Sequence, residues 1–362
     1  MTVAVVNVAA MTTKQPEFTL NRPGALIAAL PAILGFVPEK SLVLVSVDGG
    51  ELGSVLRVDL SDELVDTVGH LADIAAAGAP AAAIAVIVDA QGARCPVCND
   101  EHRRLIAALT EELSRHDILL LSTHVVDRVA HGGRWHCVDG CGAGGRVDDP
   151  GSSPLAAAAV LEGRRLYARR ADLQAVITPD DAARSAAVAA LIDDCAADRA
   201  AAGESDPRDR ARRDVEQVLA AVVALAAGRE PAEAELARLG CPLTDVLVRD
   251  TLCALAIGEH ASDAEMLWSA LARALPEPWR AEALVLLAFS AYARGDGPLA
   301  GVSLEAALRC APEHRMAGLL DTALQSGLRP ERIRGLADTG YRLAHQLGVQ
   351  LPQRQTFGQR AG

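Results

Sequence analysis

The residues whose types and spacing could do chemistry are two cysteine pairs, Cys95-Pro-Val-Cys98 and Cys137-x-x-x-Cys141. A Cys-Pro-x-Cys turn aims two sulfurs at one point, which is how half of a tetrahedral zinc site is built, and the second pair would supply the other half. His102 and His131 are expected nearer the first pair and stand as substitute ligands. Topology argues against a four-cysteine site. Cys95 follows one strand at its carboxyl end, whereas Cys137 ends a strand expected to run the opposite way. Five or six strand residues would then separate the pairs by roughly 17 Å, unless the glycine-rich loop folds back. The alternative is ordinary reduced thiols. Disulfide exchange is a third chemistry, and it wants the first cysteine at a helix amino terminus, where the dipole favours thiolate. The sequence places that helix start at about Asn99, and it shows none of the further prolines and charges of a thioredoxin site.

Other constellations carry less. Gly140-x-Gly142-x-x-Gly145 matches the dinucleotide fingerprint literally, but Arg-Val-Asp-Asp-Pro-Gly follows it where a helix should open, so the expectation is a loop. Neither lysine, Lys14 or Lys40, follows a glycine, which removes a Walker phosphate loop, and no Gly-x-Ser-x-Gly or His-Glu-x-x-His is present. His124, His131 and His136 fall on one expected hairpin, where cross-strand neighbours could meet as ligands or stand as separate imidazoles. Asp89 ends an expected parallel strand, where α/β sheets place ligands and where turn acids are also common.

These residues must be positioned by an α/β first half. Pro23 suits the first turn of a helix running to about Leu34, with Asn21 or Arg22 at its cap and Pro31 inside it. Strands are expected at 41–47 and 52–60, joined at Asp48-Gly49-Gly50, and at 82–88, 118–126 and 134–138. Helices are expected at 62–77 and 99–115. The strand, helix, strand order implies a parallel pair inside a small mixed sheet with flanking helices, and the segment 134–138 turns back through His131-Gly132-Gly133. Residues 139–153, rich in Gly, Asp, Pro and Ser, read as a surface connection, and nothing beyond them reads as strand.

The remainder is expected to be all-α, with helical patterns at 154–176, 180–200, 208–228, 243–259, 262–274, 279–294, 297–310, 313–326 and 330–348. One helical pair carries a tetratricopeptide-like signature. With Ala288 at the eighth position of a unit of about 34 residues, Leu284, Leu287, Ala300, Leu304, Ala307 and Pro312 fall in register. One period earlier Ala254 and Pro278 agree, but Met266 and Arg273 stand where small residues belong, so the repeat is degenerate. The expected organisation is a disordered extension at 1–17, an α/β domain at 18–150, a helical connection at 151–205, a helical-hairpin domain at 206–350 and a disordered tail at 351–362.

Half of the 362 residues are hydrophobic but only 3% are aromatic, so burial rests on Leu, Val and Ala. A formal net charge of −12 repels phosphate backbones, which makes nucleic acid an unexpected partner. Met1–Ala10 is apolar but lacks a basic flank, so an export signal is not expected there, and Met11 offers a second start. Apolar runs stay below the length of a membrane span. Eight cysteines without an export signal point to a reducing cytoplasm.

The stretch from Leu20-Asn-Arg-Pro23 through Leu34-Gly35-Phe36-Val37-Pro38 to Ser41-Leu42-Val43-Leu44-Val45, followed by Arg57-Val-Asp-Leu60, resembles an uncharacterised alanine-rich actinobacterial family catalogued as a domain of unknown function, the one numbered 4192. Arg134-Trp-His-Cys137, Val248-Arg249-Asp250, and the run from Trp279 through Arg294-Gly-Asp296 to Ala307-Leu308 resemble it too, so the likeness covers most of the chain. The resemblance implies the extent of the fold and an actinobacterial cytoplasm, with no activity, ligand or catalytic residue attached. That family usually carries an adjacent cysteine pair followed by proline after the tryptophan strand. Here Cys137 and Cys141 stand among glycines, so no shared metal role is implied.

Two functions remain in view. One is a non-catalytic interaction or regulatory protein that holds a protein partner on its helical-repeat-like surface. The other is a small-molecule enzyme or zinc-dependent protein, with its site at the carboxyl ends of the parallel strands near Asp89 and Cys95 and zinc as the candidate cofactor.

Overall fold

The computed structural model describes residues 4–7, 22–48, 51–161, 164–201, 206–326 and 328–355. Its contacts divide the chain into two compact units, residues 1–173 with 322–329 and residues 174–321 with 330–362. The division falls inside the stretch read as a helical connection. Most of the extension expected at 1–17, and the tail beyond 355, lie outside the described residues; Ala4–Asn7 within that extension is a strand.

The first unit opens with that strand, β1 (Ala4–Asn7), followed by α1 (Pro23–Leu34), β2 (Ser41–Asp48), β3 (Glu51–Asp59), α2 (Leu64–Ala76), β4 (Ala82–Val88), α3 (Pro96–Arg115), β5 (Leu119–Val126), β6 (Arg134–Cys137) and β7 (Gly144–Arg146). α4 (Pro154–Leu161) and α5 (Arg170–Ala175) follow, so the single helix expected at 154–176 is broken in two. The strands form one seven-stranded sheet in the order β1-β3-β2-β4-β5-β6-β7. Among the described strands only β4 and β5 pair in parallel, as the strand, helix, strand order requires. β6 returns antiparallel to β5, pairing Val126 with Trp135 and His124 with Cys137. The glycine-rich stretch expected to be loop contributes β7, which pairs Trp135 with Gly145. Its glycines carry no strand signal because what pairs them is backbone alone.

β4 is central and buried along its whole length, which is why its sequence is an uninterrupted apolar run. Alternation sorts the side chains. Leu42, Leu44, Ala85, Ile87 and Val125 pack with Leu71 of α2 and Leu105, Leu109 and Leu113 of α3, and Val138 joins them. Each fully buried leucine contributes about 2 kcal/mol of transfer free energy.

The second unit contains α6 (Ala182–Ala201), α7 (Pro207–Ala226), α8 (Glu233–Gly240), α9 (Val246–Leu252), α10 (Ala261–Ala274), α11 (Trp279–Arg294), α12 (Gly297–Cys310), the start of α13 (Arg315–Gln325) and α14 (Pro330–Leu347). α8 was not read from the sequence, and the expected helix at 243–259 is α9 continued by a 3-10 turn at Cys253–Ile257. α11 lies at the centre, packed by α10, α12 and α14. Gly295, at φ 88°, ends α11 in the left-handed conformation that glycine adopts without a Cβ penalty, and Asp296 caps α12 by accepting from Leu299 N at 3.1 Å. No helix among the described residues is long and apolar enough to cross a membrane.

Candidate functional site

The residues singled out around Asp89 and Cys95 are positioned by the end of β4 and the start of α3. Asp89 N extends the parallel ladder by donating to Val126 O at 3.0 Å, and a short 3-10 turn, Gly92–Arg94, carries the chain across to the helix. α3 begins at Pro96, three residues earlier than the sequence reading placed it, so Cys95 is its N-cap. Pro96 fits the first helical position because it has no N–H to leave unsatisfied. The signal for this start is the Cys-Pro pair itself, as N-cap and first helical residue.

That placement sets the electrostatics of the pair. The Cys98 N–H and thiol and the Val97 N–H, gathered at the amino terminus of α3, lower the Cys95 thiol from its ordinary value. The same sulfur-to-sulfur hydrogen bond keeps the proton on Cys98, whose thiol is raised further by burial and by the charges of Glu101 and Asp89. The two thiols are thereby shifted in opposite directions, Cys95 down and Cys98 up. Val97 between them is 65% exposed.

Behind Cys98, one helical turn on, His102 is buried and its Nε2 lies 3.2 Å from Asp89 Oδ2. Asp89 Oδ1 accepts from Gln91 N at 3.2 Å. Gly92 makes this approach possible: a methyl there would stand 2.0 Å from Asp89 Oδ2 and 3.1 Å from Cys98 Cβ. Gly92→Ala is therefore expected to displace the carboxylate from His102 and to destabilise the first unit by about 1–3 kcal/mol. A urea titration at neutral pH measures it, and a midpoint equal to the parent's would mean that Asp89 relaxes freely.

Asn99 and Arg103, one turn apart on α3, face the β6 hairpin. Asn99 Oδ1 is 3.3 Å from His136 Nε2, and Arg103 Nε donates to Val138 O at 3.2 Å. Arg103 also pairs with Asp100. Burial and the nearby charges of His102 and Arg103 hold His136 below the usual histidine range. Asp127, at the end of β5, accepts from Arg134 N at 2.8 Å and is approached by Arg94 at 3.5 Å. Asn99, Arg103, Gly92 and Asp127 had no motif to announce them.

The two cysteine pairs stand on separate elements, Cys95 and Cys98 at the start of α3 and Cys137 at the end of β6, two residues below the Val126–Trp135 pair. They do not converge, and the reason is parity. His136 and Val138 face α3, so the alternating Cys137 faces the other side of the sheet with its partner His124, whose ring meets Trp135 edge-on at 5.1 Å. The Cys137 thiol donates instead to Asp139 Oδ2 at 3.8 Å. Burial raises the Cys137 thiol, while the Ala143 N–H and the Cys137 thiol lower that of Cys141. The three hairpin histidines are likewise dispersed, with His124 and His136 on opposite faces and His131 in the turn. Among the described residues no three His, Cys, Asp or Glu side chains are placed to hold a metal ion. Gly140 and Gly142 turn at φ 70° and 84° into β7, and no helix opens after them.

The architecture is thus an α/β unit that carries a helix-capping dithiol, followed by an all-α unit. The chain belongs to the family described as Domain of unknown function (DUF4192), which matches residues 23–331. Neither a curated protein nor a solved structure matches it.

Proposed function

We propose that the chain is a regulatory interaction protein of a reducing cytoplasm whose α/β unit performs thiol–disulfide exchange at Cys95 and Cys98. The observation that carries this reading is Cys95 at the N-cap of α3 with Cys98 one turn inside the same helix. The Cys95 thiolate attacks one sulfur of a substrate disulfide and expels the other as thiolate. Cys98, on losing its proton, then attacks the Cys95 sulfur, closes the internal disulfide and releases the second substrate thiolate. Two protein thiols are oxidised and one substrate disulfide is reduced.

The helical unit supplies the partner-binding part in this reading. Supporting it are the antiparallel α11–α12 hairpin, with the small residues Ala288, Ala300 and Ala307 buried along it, and an open cleft of about 390 Å³ beside it, lined among others by Glu277, Arg280, Glu305 and Arg309.

Oxidised glutathione with mass-spectrometric mapping tests the chemistry. The expected products are a Cys95–Cys98 disulfide in the parent chain and, in Cys98→Ser, a stable mixed disulfide on Cys95. With iodoacetamide at pH 7, Cys95 is expected to react at least about tenfold faster than Cys98. Equal alkylation of the two, or a parent chain that forms no Cys95–Cys98 disulfide, would sink the reading.

A further inference from the structure

We infer that Asp89, held by His102, is the general base that takes the proton from Cys98 when that thiol resolves the mixed disulfide on Cys95. The assignment rests on the thiol-exchange reading above, which leaves the Cys98 proton without a destination. Geometry supplies one. A methyl on Gly92 would stand 2.0 Å from Asp89 Oδ2 and 3.1 Å from Cys98 Cβ, so those two atoms are at most the sum of these, about 5.1 Å, apart, and the thiol can meet the carboxylate directly or through one water.

The carboxylate is built into place. Asp89 N donates to Val126 O at 3.0 Å, which fixes the backbone at the end of the parallel ladder, and Oδ1 accepts from Gln91 N at 3.2 Å. Oδ2 is left on the side of Cys98, 3.2 Å from His102 Nε2. His102 is buried, and its Nδ1 has no partner among the described residues, so the contact with Asp89 is what its ring supplies. Cys98 and His102 lie one turn apart on α3, and the helix that carries the thiol therefore also carries the group that orients its base. The other acids nearby are engaged elsewhere or turned to solvent. Asp100 pairs with Arg103, Asp127 accepts from Arg134 N and is approached by Arg94 and Arg128, and Glu101 is exposed. The remaining titratable and charged groups around the pair are Cys95 and Arg103 on α3 and His136 on β6.

The step balances. Cys98 gives its proton to Asp89 Oδ2 and its electron pair to the Cys95 sulfur, the bond from Cys95 to the substrate sulfur breaks, and the substrate leaves as thiolate. That thiolate, the stronger base, then takes the proton from Asp89 and restores the carboxylate. A carboxylate that acted only through its charge would show the opposite sign. The charges of Glu101 and Asp89 raise the Cys98 thiol, so removing one of them would by itself favour thiolate and speed resolution. Removing the base slows it.

Full-length parent, Asp89→Asn and Glu101→Gln are mixed with oxidised glutathione, quenched with acid, alkylated and mapped by mass over time. At pH 7 Asp89→Asn is expected to form the Cys95–glutathione disulfide at the parent's rate but to convert it to Cys95–Cys98 at least about tenfold more slowly, while Glu101→Gln resolves as fast as the parent or faster. Between about pH 6 and pH 8 the parent's resolution should be nearly flat, whereas that of Asp89→Asn should climb about tenfold per pH unit, as hydroxide replaces the missing base, and close on the parent toward pH 9. Resolution in Asp89→Asn as fast as in the parent, or faster, overturns the assignment. So does a parent rate that itself climbs about tenfold per pH unit, a result that needs no variant to fold. In both cases the parent still forms Cys95–Cys98 and the exchange reading stands; a parent that forms neither the mixed nor the internal disulfide removes that reading and this one together.

Discussion

Truncating Trp268 to alanine is expected to destabilise the helical unit by about 3–5 kcal/mol, seen as a fall in the urea midpoint of the far-ultraviolet helical signal. Trp268 is 0% exposed on α10, which packs against α7, α8 and α11. In a chain with 3% aromatic residues it is one of the few large side chains available to fill the space between helices. Its neighbours one turn away on its own helix, Ala264 and Ala272, are buried and too short to fill the void. Alanine walls cannot reach into a cavity, and helices already brought close by alanines cannot collapse much further. Trp268→Phe should behave differently. The indole Nε1 is buried without a hydrogen-bond partner, so phenylalanine removes an unsatisfied donor while keeping most of the volume. The expected cost is below about 1.5 kcal/mol. A Trp268→Ala loss as small as that would show that the walls do close.

What sequence could and could not reveal follows from which forces leave a mark in side chains. α1, β4, α11 and α12 were legible to the residue because proline, glycine and apolar periodicity all agreed on their ends. α8 was missed because its eight residues bury only Leu236, Ala237, Leu239 and Gly240, too short a stretch to show a period. β7 was missed because Gly144-Gly145-Arg146 offers no side-chain pattern and joins the sheet through its main chain. At the site, the sequence named Asp89, Cys95, Cys98 and His102, and the fold gathers them at the end of β4. What it could not supply was the face of β6. A one-residue change of register would have turned Cys137 toward α3, and register here is set by the turn at His131-Gly132-Gly133 and by Asp127, which receives the Arg134 N–H. The α3 boundary mattered for the same reason: three residues decided whether Cys95 was a turn thiol or a helix cap.

The second large effect is expected at a buried charge cluster in the helical unit, where Arg249→Leu should cost about 3–5 kcal/mol at pH 7. Arg249 Nε and Nη2 both bind Asp250 Oδ1, at 3.0 and 2.9 Å, and Nη1 reaches Glu282 Oε2 at 3.1 Å. His314 closes the cluster. Its Nδ1 accepts from Ala317 N at 3.1 Å near the start of α13, and its Nε2 lies 3.1 Å from the same Glu282 oxygen, off the line of a good hydrogen bond. Removing the guanidinium leaves the Glu282 carboxylate buried with only an ill-aligned imidazole. Lysine cannot replace it, because one ammonium cannot present the three nitrogens that span two carboxylates. Acid gives the decisive comparison. Burial pushes the Glu282 carboxyl up, but His314 and Arg249 pull it down further, so it sits below the usual glutamate range in the folded chain. A depressed folded value means that its stabilisation is complete above the unfolded glutamate pKa of about 4.3 and is lost as pH falls through the folded value. In Arg249→Leu the sign reverses, since a buried carboxylate without its cation is relieved by protonation. Urea midpoints of parent and variant should therefore differ widely at pH 7 and converge toward pH 4. A gap that stays constant across that range would assign the loss to packing of the arginine stem and not to the charges it joins.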